Sequence, residues 1–329
     1  MKRLLALMLS MLLLSACSAL PAEERAFAVV LLVEAAGNGL QVHGRIPAYK
    51  ADGEYLTVTG KGTSLAAALS DMDANSPMRV HLSQLRLLIL HENLGQMLPV
   101  VLQAVADNRE VRQACMAAVT ASETDAVMKA LKPENGVRLS KTLDVMADAR
   151  TAQGVIPSAA LEDICRSGRR VSPVFVRLAE EDGEISLSGG WMADENNHLA
   201  GVLSERECVL LSMLRDGKGE RFLTLDEGYA RLRDVRVQVK LSGDMHAAQV
   251  MMTADLMEAS LPAEELQPAL AQALMTLLER LSRSGCDVLG LARQAVTHVP
   301  DAAAWDALAW QERYRLLVWS VSVGVNKPA

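Results

Sequence analysis

Aromatic residues make up only 3% of the 329 residues. A ligand cleft lined by rings therefore has little to draw on, and the core must be built from Leu, Val, Ala and sixteen Met. Motif chemistry is missing as well. There is no Gly-rich phosphate loop, no His-Glu-x-x-His, no Gly-x-Ser-x-Gly and no run of ligands at metal spacing, so no catalytic, cofactor-binding or metal-binding residue is assigned. The six His are scattered. His81 and His91 flank one apolar stretch, and ten positions of extended strand would hold them ~33 Å apart, as strand-end polar residues. Cations are outnumbered, 33 Lys and Arg against 40 Asp and Glu, for a net charge of -7. That balance speaks against a nucleic-acid surface, which is normally basic along a face or stripe. Past the start of the chain, no hydrophobic run is long enough to span a bilayer.

The start itself is informative. Lys2 and Arg3 form a short positive region, residues 4–14 are apolar apart from one Ser, and Ser15 and Ala16 are the small residues of a cleavage site. The apolar run is about half of the roughly 20 residues that a spanning helix needs, so it reads as a secretion signal. Leu14-Ser15-Ala16-Cys17 looks like the lipobox of bacterial lipoproteins, in which cleavage precedes the Cys and its thiol is acylated. Cys17 is then the lipidation site and the first residue of the mature chain. One acyl chain such as palmitate anchors only marginally, at ~0.8 kcal/mol per buried CH2, whereas two or three on one residue hold firmly. The other reading is a soluble secreted protein with a chance Cys after the cut.

Besides Cys17 there are Cys115, Cys165, Cys208 and Cys286, with no Cys-x-x-Cys. An exported chain can oxidise them, and four Cys allow three pairings. Cys115 and Cys208 sit in apolar runs, where Cys behaves as a small buried hydrophobe.

At ~100 to 200 residues per domain the chain holds two or three domains. Residues 25–34 and 40–46 flank Gly37-Asn38-Gly39, a hairpin signal, because Asn-Gly accepts the positive φ of tight turns. Residues 55–59 alternate as a strand. Thr63 and Ser64 offer N-cap hydroxyls to a helix that fails by Asn75-Ser76-Pro77. Residues 85–90 are almost wholly apolar, as expected of a central strand covered on both faces. A helix over 94–106, a strand over 112–120 and helices over 124–131, 140–152 and 157–166 follow. The polar break Ser167-Gly168-Arg169-Arg170 marks a boundary. Beyond it, strands are expected over 174–178, 185–192 and 199–203. Ser204 and Glu207 form a capping box for a helix through residue 214, which gives Glu207 a structural task. Strands over 231–241 and 247–256 surround Gly243-Asp244. A long helix over 263–284 ends at Gly285, and residues 313–326 alternate as the clearest strand.

Few of the remaining clusters demand chemistry. Glu180-Glu181-Asp182 falls in a turn, and Glu264-Glu265 falls in a helical first turn, where the dipole favours carboxylates. Trp305 and Trp310 either plug the end of the last domain or form an exposed contact patch. Arg109, Glu110 and Arg112 form a solvated edge or face an anionic partner or lipid.

The order of elements resembles the Ger(x)C lipoproteins, the C subunits of nutrient germinant receptors in endospore-forming bacteria. Gly60-Lys61-Gly62-Thr63-Ser64 before the first helix is similar to that family's "G-K-T" helix opening. His81-Leu82-Ser83-Gln84-Leu85-Arg86-Leu87-Leu88 resembles its "sH-lk-vi" strand, and Arg109-Glu110-Val111-Arg112 its "R-d-x-e-i-R". Leu187-Ser188-Gly189-Gly190-Trp191 with Leu199-Ala200-Gly201-Val202-Leu203 looks like the middle motif. Cys286-Asp287-Val288-Leu289-Gly290, Trp305, Trp310 and the closing strand look like the tail. The resemblance implies an α+β fold of three mixed α/β domains, with largely antiparallel or mixed sheets packed by helices. The units expected are a signal peptide over 1–16, an N-terminal domain over 17–168, a small middle domain over 169–226 and a C-terminal domain over 227–329. It also implies no enzyme activity, a role in spore germination, and a lipid-anchored place on the extracytoplasmic face of the spore inner membrane beside integral-membrane A and B subunits. Two rivals are an extracytoplasmic solute-binding lipoprotein of a transporter and an extracytoplasmic hydrolase.

Overall fold

A computed structural model describes residues 25–47, 55–132, 138–167, 171–215, 217 and 219–326. Its fold is α+β, with two main sheets, a two-stranded pair and helices packed on them. The larger sheet has eight strands in the order β10-β9-β8-β7-β6-β2-β3-β4: β2 Val30–Ala36, β3 Gly39–Pro47, β4 Tyr55–Gly62, β6 Leu87–His91, β7 Met116–Thr120, β8 Val174–Glu181, β9 Glu184–Ala193 and β10 Leu199–Leu203. The four central strands β8, β7, β6 and β2 run parallel, and antiparallel hairpins extend both flanks. A short parallel pair, β1 Arg25–Phe27 and β5 Arg79–His81, lies beside it. Val30 to Val33 and Leu87 to Leu90 are all fully buried. An unbroken apolar run is what a strand covered on both faces requires.

The expected hairpin at Gly37 forms, with Gly37 at φ +58°. Helix α1, Leu65–Ala74, starts at Ser64, whose hydroxyl accepts from the Ala67 N–H. It packs against β3 and β4. The approach is close: a Cβ on Gly60 would lie 2.2 Å from the Ala68 carbonyl oxygen, and one on Gly62 would lie 2.4 Å from the Ala68 nitrogen.

Several boundaries shift for local reasons. The helix expected from residue 94 begins at Leu98 (α2, Leu98–Asp107), because Gly95 at φ +49°, ψ -120° breaks the preceding 3-10 turn and Pro99 suits a first helical turn. The strand expected from residue 112 begins at Met116, since Arg112 to Cys115 form a turn closed by the Cys115 N–H on the Arg112 carbonyl. Helices α3, Thr124–Ala130, and α4, Leu139–Gln153, fall where expected. The next helix, α5 (Leu161–Ser167), starts four residues later than Pro157 suggested, because Ala160 pairs antiparallel with Met116, the Ala117 N–H donating to the Ala159 carbonyl and the Leu161 N–H to the Cys115 carbonyl.

The smaller sheet has the order β11-β12-β13-β14: β11 Arg221–Leu225, β12 Gly228–Leu241, β13 Ala247–Ala259 and β14 Val318–Asn326. Strand β14 joins β13 in parallel and the others are antiparallel. Helix α7, Ala263–Ser284, lies on one face and buries Leu266, Leu270, Leu274, Leu277 and Leu281. Gly285 closes it in the left-handed conformation at φ +73°. Strand β14 starts at Val318 and not at residue 313, because Trp310–Arg315 forms helix α10, preceded by α8 (Ala292–Ala295) and α9 (Ala302–Leu308). Strand β11 has no counterpart in the sequence reading. The described part of the expected middle domain is shared between the two main sheets: β8 to β10 extend the larger one, and β11 edges the smaller. Helix α6, Glu205–Arg215, packs against β9 and β10 on one side and β11 and β12 on the other.

Candidate functional site

Cys17, the expected lipidation site, lies outside the described residues. The other clusters singled out in the sequence are visible, and most of them are held in packing or capping arrangements. Arg109 and Arg112 are exposed on the turn after α2. There the Asn108 side chain accepts from the Glu110 N–H at 2.9 Å. His81 and His91 lie on β5 and β6, in different sheets, and not along one strand. His81 Nδ1 stands 3.8 Å from Glu110 and its ring packs on Phe27, while His91 Nδ1 accepts from the Asn93 N–H at 3.1 Å. Both are strand-end residues.

Glu180, Glu181 and Asp182 make the β8–β9 turn, where Glu180 accepts from the Gly183 N–H at 2.7 Å. Glu264 and Glu265 sit in the first turn of α7. Glu207 completes its capping box, accepting from the Ser204 N–H and hydroxyl at 2.8 Å each. It also pairs with Arg280 of α7, whose guanidinium reaches the Val202 carbonyl. Burial alone would raise the Glu207 carboxyl; the Ser204 bonds and Arg280 outweigh it and hold the group below the ordinary carboxylate range. This residue thus ties β10, α6 and α7 together.

The tail aromatics form one continuous chain of ring contacts, stacked at its start and edge-on at its end. Trp305 meets Trp310 at 6.2 Å, Trp310 meets Tyr314 at 6.0 Å, and Tyr314 meets Trp319 at 6.4 Å. Trp319 donates to the Ser282 hydroxyl at 2.6 Å, and Trp310 donates to Asp287 at 3.1 Å. Asp287 is buried and also accepts from the N–H groups of Leu291 and Ala292, at 2.9 and 2.6 Å. Burial pushes its carboxyl up, against the pull of these hydrogen bonds. The Trp pair is therefore the plug of the second core. The sequence reading named Asp287 only within a motif; an acid flanked by apolar residues and followed by Gly290 was the available signal.

A second buried polar group was missed altogether. His43 on β3 bonds Glu34 on β2 at 2.9 Å, and Thr124 donates to the same carboxylate at 2.7 Å. His43 shares its face of β3 with Gln41 and Arg45, opposite Leu40, Val42 and Ile46, so the alternation placed it on the polar side and gave no sign of its burial.

Cys115, Cys165, Cys208 and Cys286 are free. Burial pushes the Cys115 and Cys208 thiols up to about 12, so both stay protonated and unreactive at neutral pH. Among the described residues no group of three His, Cys, Asp or Glu is placed to hold a metal, and no helix is long and apolar enough to cross a membrane. What the described surface offers is shape, open sheet faces and clefts between helices.

Residues 19–168 match the family described as "Spore germination protein N-terminal domain". No curated protein sequence matches the chain. Among solved structures, the chain is similar to the one titled "Crystal Structure of the GerBC protein", with a TM-score of 0.56 and 14% identity, over 91% of this chain and 97% of that one. At that identity the likeness concerns the fold.

Proposed function

Because the chain belongs to the Ger(x)C family of spore germination proteins, we propose that it serves as the lipid-anchored C subunit of a nutrient germinant receptor. The observation that carries this reading is the germination-protein domain over residues 19–168, directly behind a leader that ends in Leu-Ser-Ala-Cys. In this reading Cys17 is acylated, and the folded part sits on the extracytoplasmic face of the spore inner membrane. It works there by binding integral-membrane A and B subunits, with no turnover of its own. An anchor confines the folded domains to a surface, which raises their effective concentration for membrane partners without strong affinity in solution.

The experiment is genetic. Deleting the gene should abolish the spore response to the nutrient read by its receptor, and leave intact the response to triggers that bypass such receptors. Cys17→Ala should reproduce much of the defect and lose label from a fatty-acid probe. Normal germination of deletion spores on every nutrient, with other receptors also removed, would overturn the proposal.

A further inference from the structure

A guanidinium withdrawn from water needs an anion beside it, or hydrogen bonds that replace its hydration. Arg221, the first residue of β11, is only 5% exposed. Its Nε donates to the Ser212 hydroxyl at 3.0 Å, and its Nη1 donates to the carbonyls of Ala152 and Glu220 at 2.9 and 3.1 Å. All three acceptors are neutral. Among the described residues no carboxylate pairs with this charge, and the Nη2 amino group has no acceptor. The Ala152 carbonyl belongs to the last turn of α4, whose dipole offers about half a negative charge at best. One edge of the guanidinium is thus satisfied, and the other is left open.

Arg221 also lines a cavity of 300 Å³. Two parts of the molecule build it: the end of α4 with the loop through Ser158, and the α6–β11 segment. Ile156, Pro157, Leu211 and Cys208 supply apolar lining, and Arg215, an exposed residue, lines it as well. The Cys208 thiol stays neutral and brings no competing anion. The seat of Arg221 is fitted closely. A Cβ on Gly154, at φ +77°, would lie 2.4 Å from the Ser212 oxygen and 3.1 Å from Arg221 Nε. No side chain is therefore tolerated at the position that backs the guanidinium.

We propose that this cavity binds a small aliphatic carboxylate, its charge on Arg221 and its hydrocarbon body against Ile156, Pro157 and Leu211. A monoanion balances the single buried cation, and the carbon lining favours an organic acid over inorganic phosphate. Because the walls come from both cores, the bound acid bridges them. The inference is independent of the receptor reading.

The test uses the full chain in detergent micelles and 13C-carboxyl-labelled pentanoate, read by the carboxyl resonance. Saturable binding is expected, with Kd of about 0.1 to 1 mM for a ligand of this size. Pentanamide, which lacks the charge, should bind at least tenfold more weakly, and so should pentanoate to Arg221→Gln. Ser158→Trp, a change on an exposed rim that fills the mouth, should abolish binding without unfolding the chain; it decides the matter if Arg221→Gln does not fold. Three results would overturn the proposal: no saturable binding up to about 20 mM, equal binding by wild type and Ser158→Trp, or phosphate competing as well as pentanoate.

Discussion

The two sheets solve the burial problem in opposite ways. The larger one is covered on both faces at its centre, where Leu31, Leu32, Leu88 and Ile89 reach zero exposure. The smaller one is covered by α7 on one face only, and along β14 the outward positions Ser320 and Ser322 are polar while Trp319 and Val325 point inward. In the first sheet every central position is inside the core, so tolerance should be low throughout. In the second it should alternate residue by residue.

Substitutions of the same kind in each sheet test this contrast most strongly. Leu32→Asp, which buries an unpaired charge in the larger sheet, should cost more than ~4 kcal/mol and leave little folded protein. Ser322→Asp, on the outer face of the smaller sheet, should change stability by no more than about 0.5 kcal/mol. Chemical denaturation of both variants measures the difference, and comparable losses would break the contrast.

Trp310→Ala should be the most damaging single change in the smaller sheet's core, at about 3 to 5 kcal/mol. It removes a central ring of the aromatic chain and a donor to Asp287. A loss confined to the second core, with amide exchange in β2 and β6 unchanged, would show that the two cores open separately.

Asp287 adds a pH signature. Its folded pKa is raised by burial, while the unfolded carboxyl titrates near ~3.9. Between those values the folded state holds more protons, so this group's contribution to stability is present below about pH 4 and is lost as pH rises through the folded pKa. The stability of wild type relative to Asp287→Asn, followed by thermal unfolding, should therefore fall with rising pH in that window. A rise would mean that the Leu291, Ala292 and Trp310 bonds outweigh burial. The smallest effect expected is that of a reductant. With Cys115, Cys165, Cys208 and Cys286 free, the unfolding temperature should be unchanged, whereas loss of a native disulfide would lower it by roughly 10 °C.

The contrast between the sheets also explains what the sequence revealed. The Gly37 hairpin, the Ser64 cap, the strand through Leu90, α7 with its Gly285 stop and the alternation of β14 were legible, because each rests on near neighbours in the chain. Strand β11 was not, since its partner β12 and its cover α6 decide its state. The missed 3-10 turn at Gly95 depends on one residue's dihedral angles. Of the candidate sites, the capping task of Glu207 was readable from Ser-x-x-Glu, but its link to Arg280, 73 residues away, was not. Glu34 and Arg221 escaped for the same reason, since partners of each come from other elements, and for Asp287 the bond from Trp310, 23 residues away, was equally hidden.

The contact between α1 and β4 bears on how Gly60-Lys61-Gly62-Thr63-Ser64 should vary among relatives. Written down alone, the string invites comparison with loops that cradle nucleotides. In the fold, the two glycines are where one backbone rests on another, the Lys61 N–H is held by Asp71 at 2.8 Å, and Ser64 opens the helix. The alphabet at positions 60 and 62 is thereby reduced to a single letter by steric exclusion. Relatives that keep this helix on this strand should show glycine at both places even where the intervening lysine drifts freely.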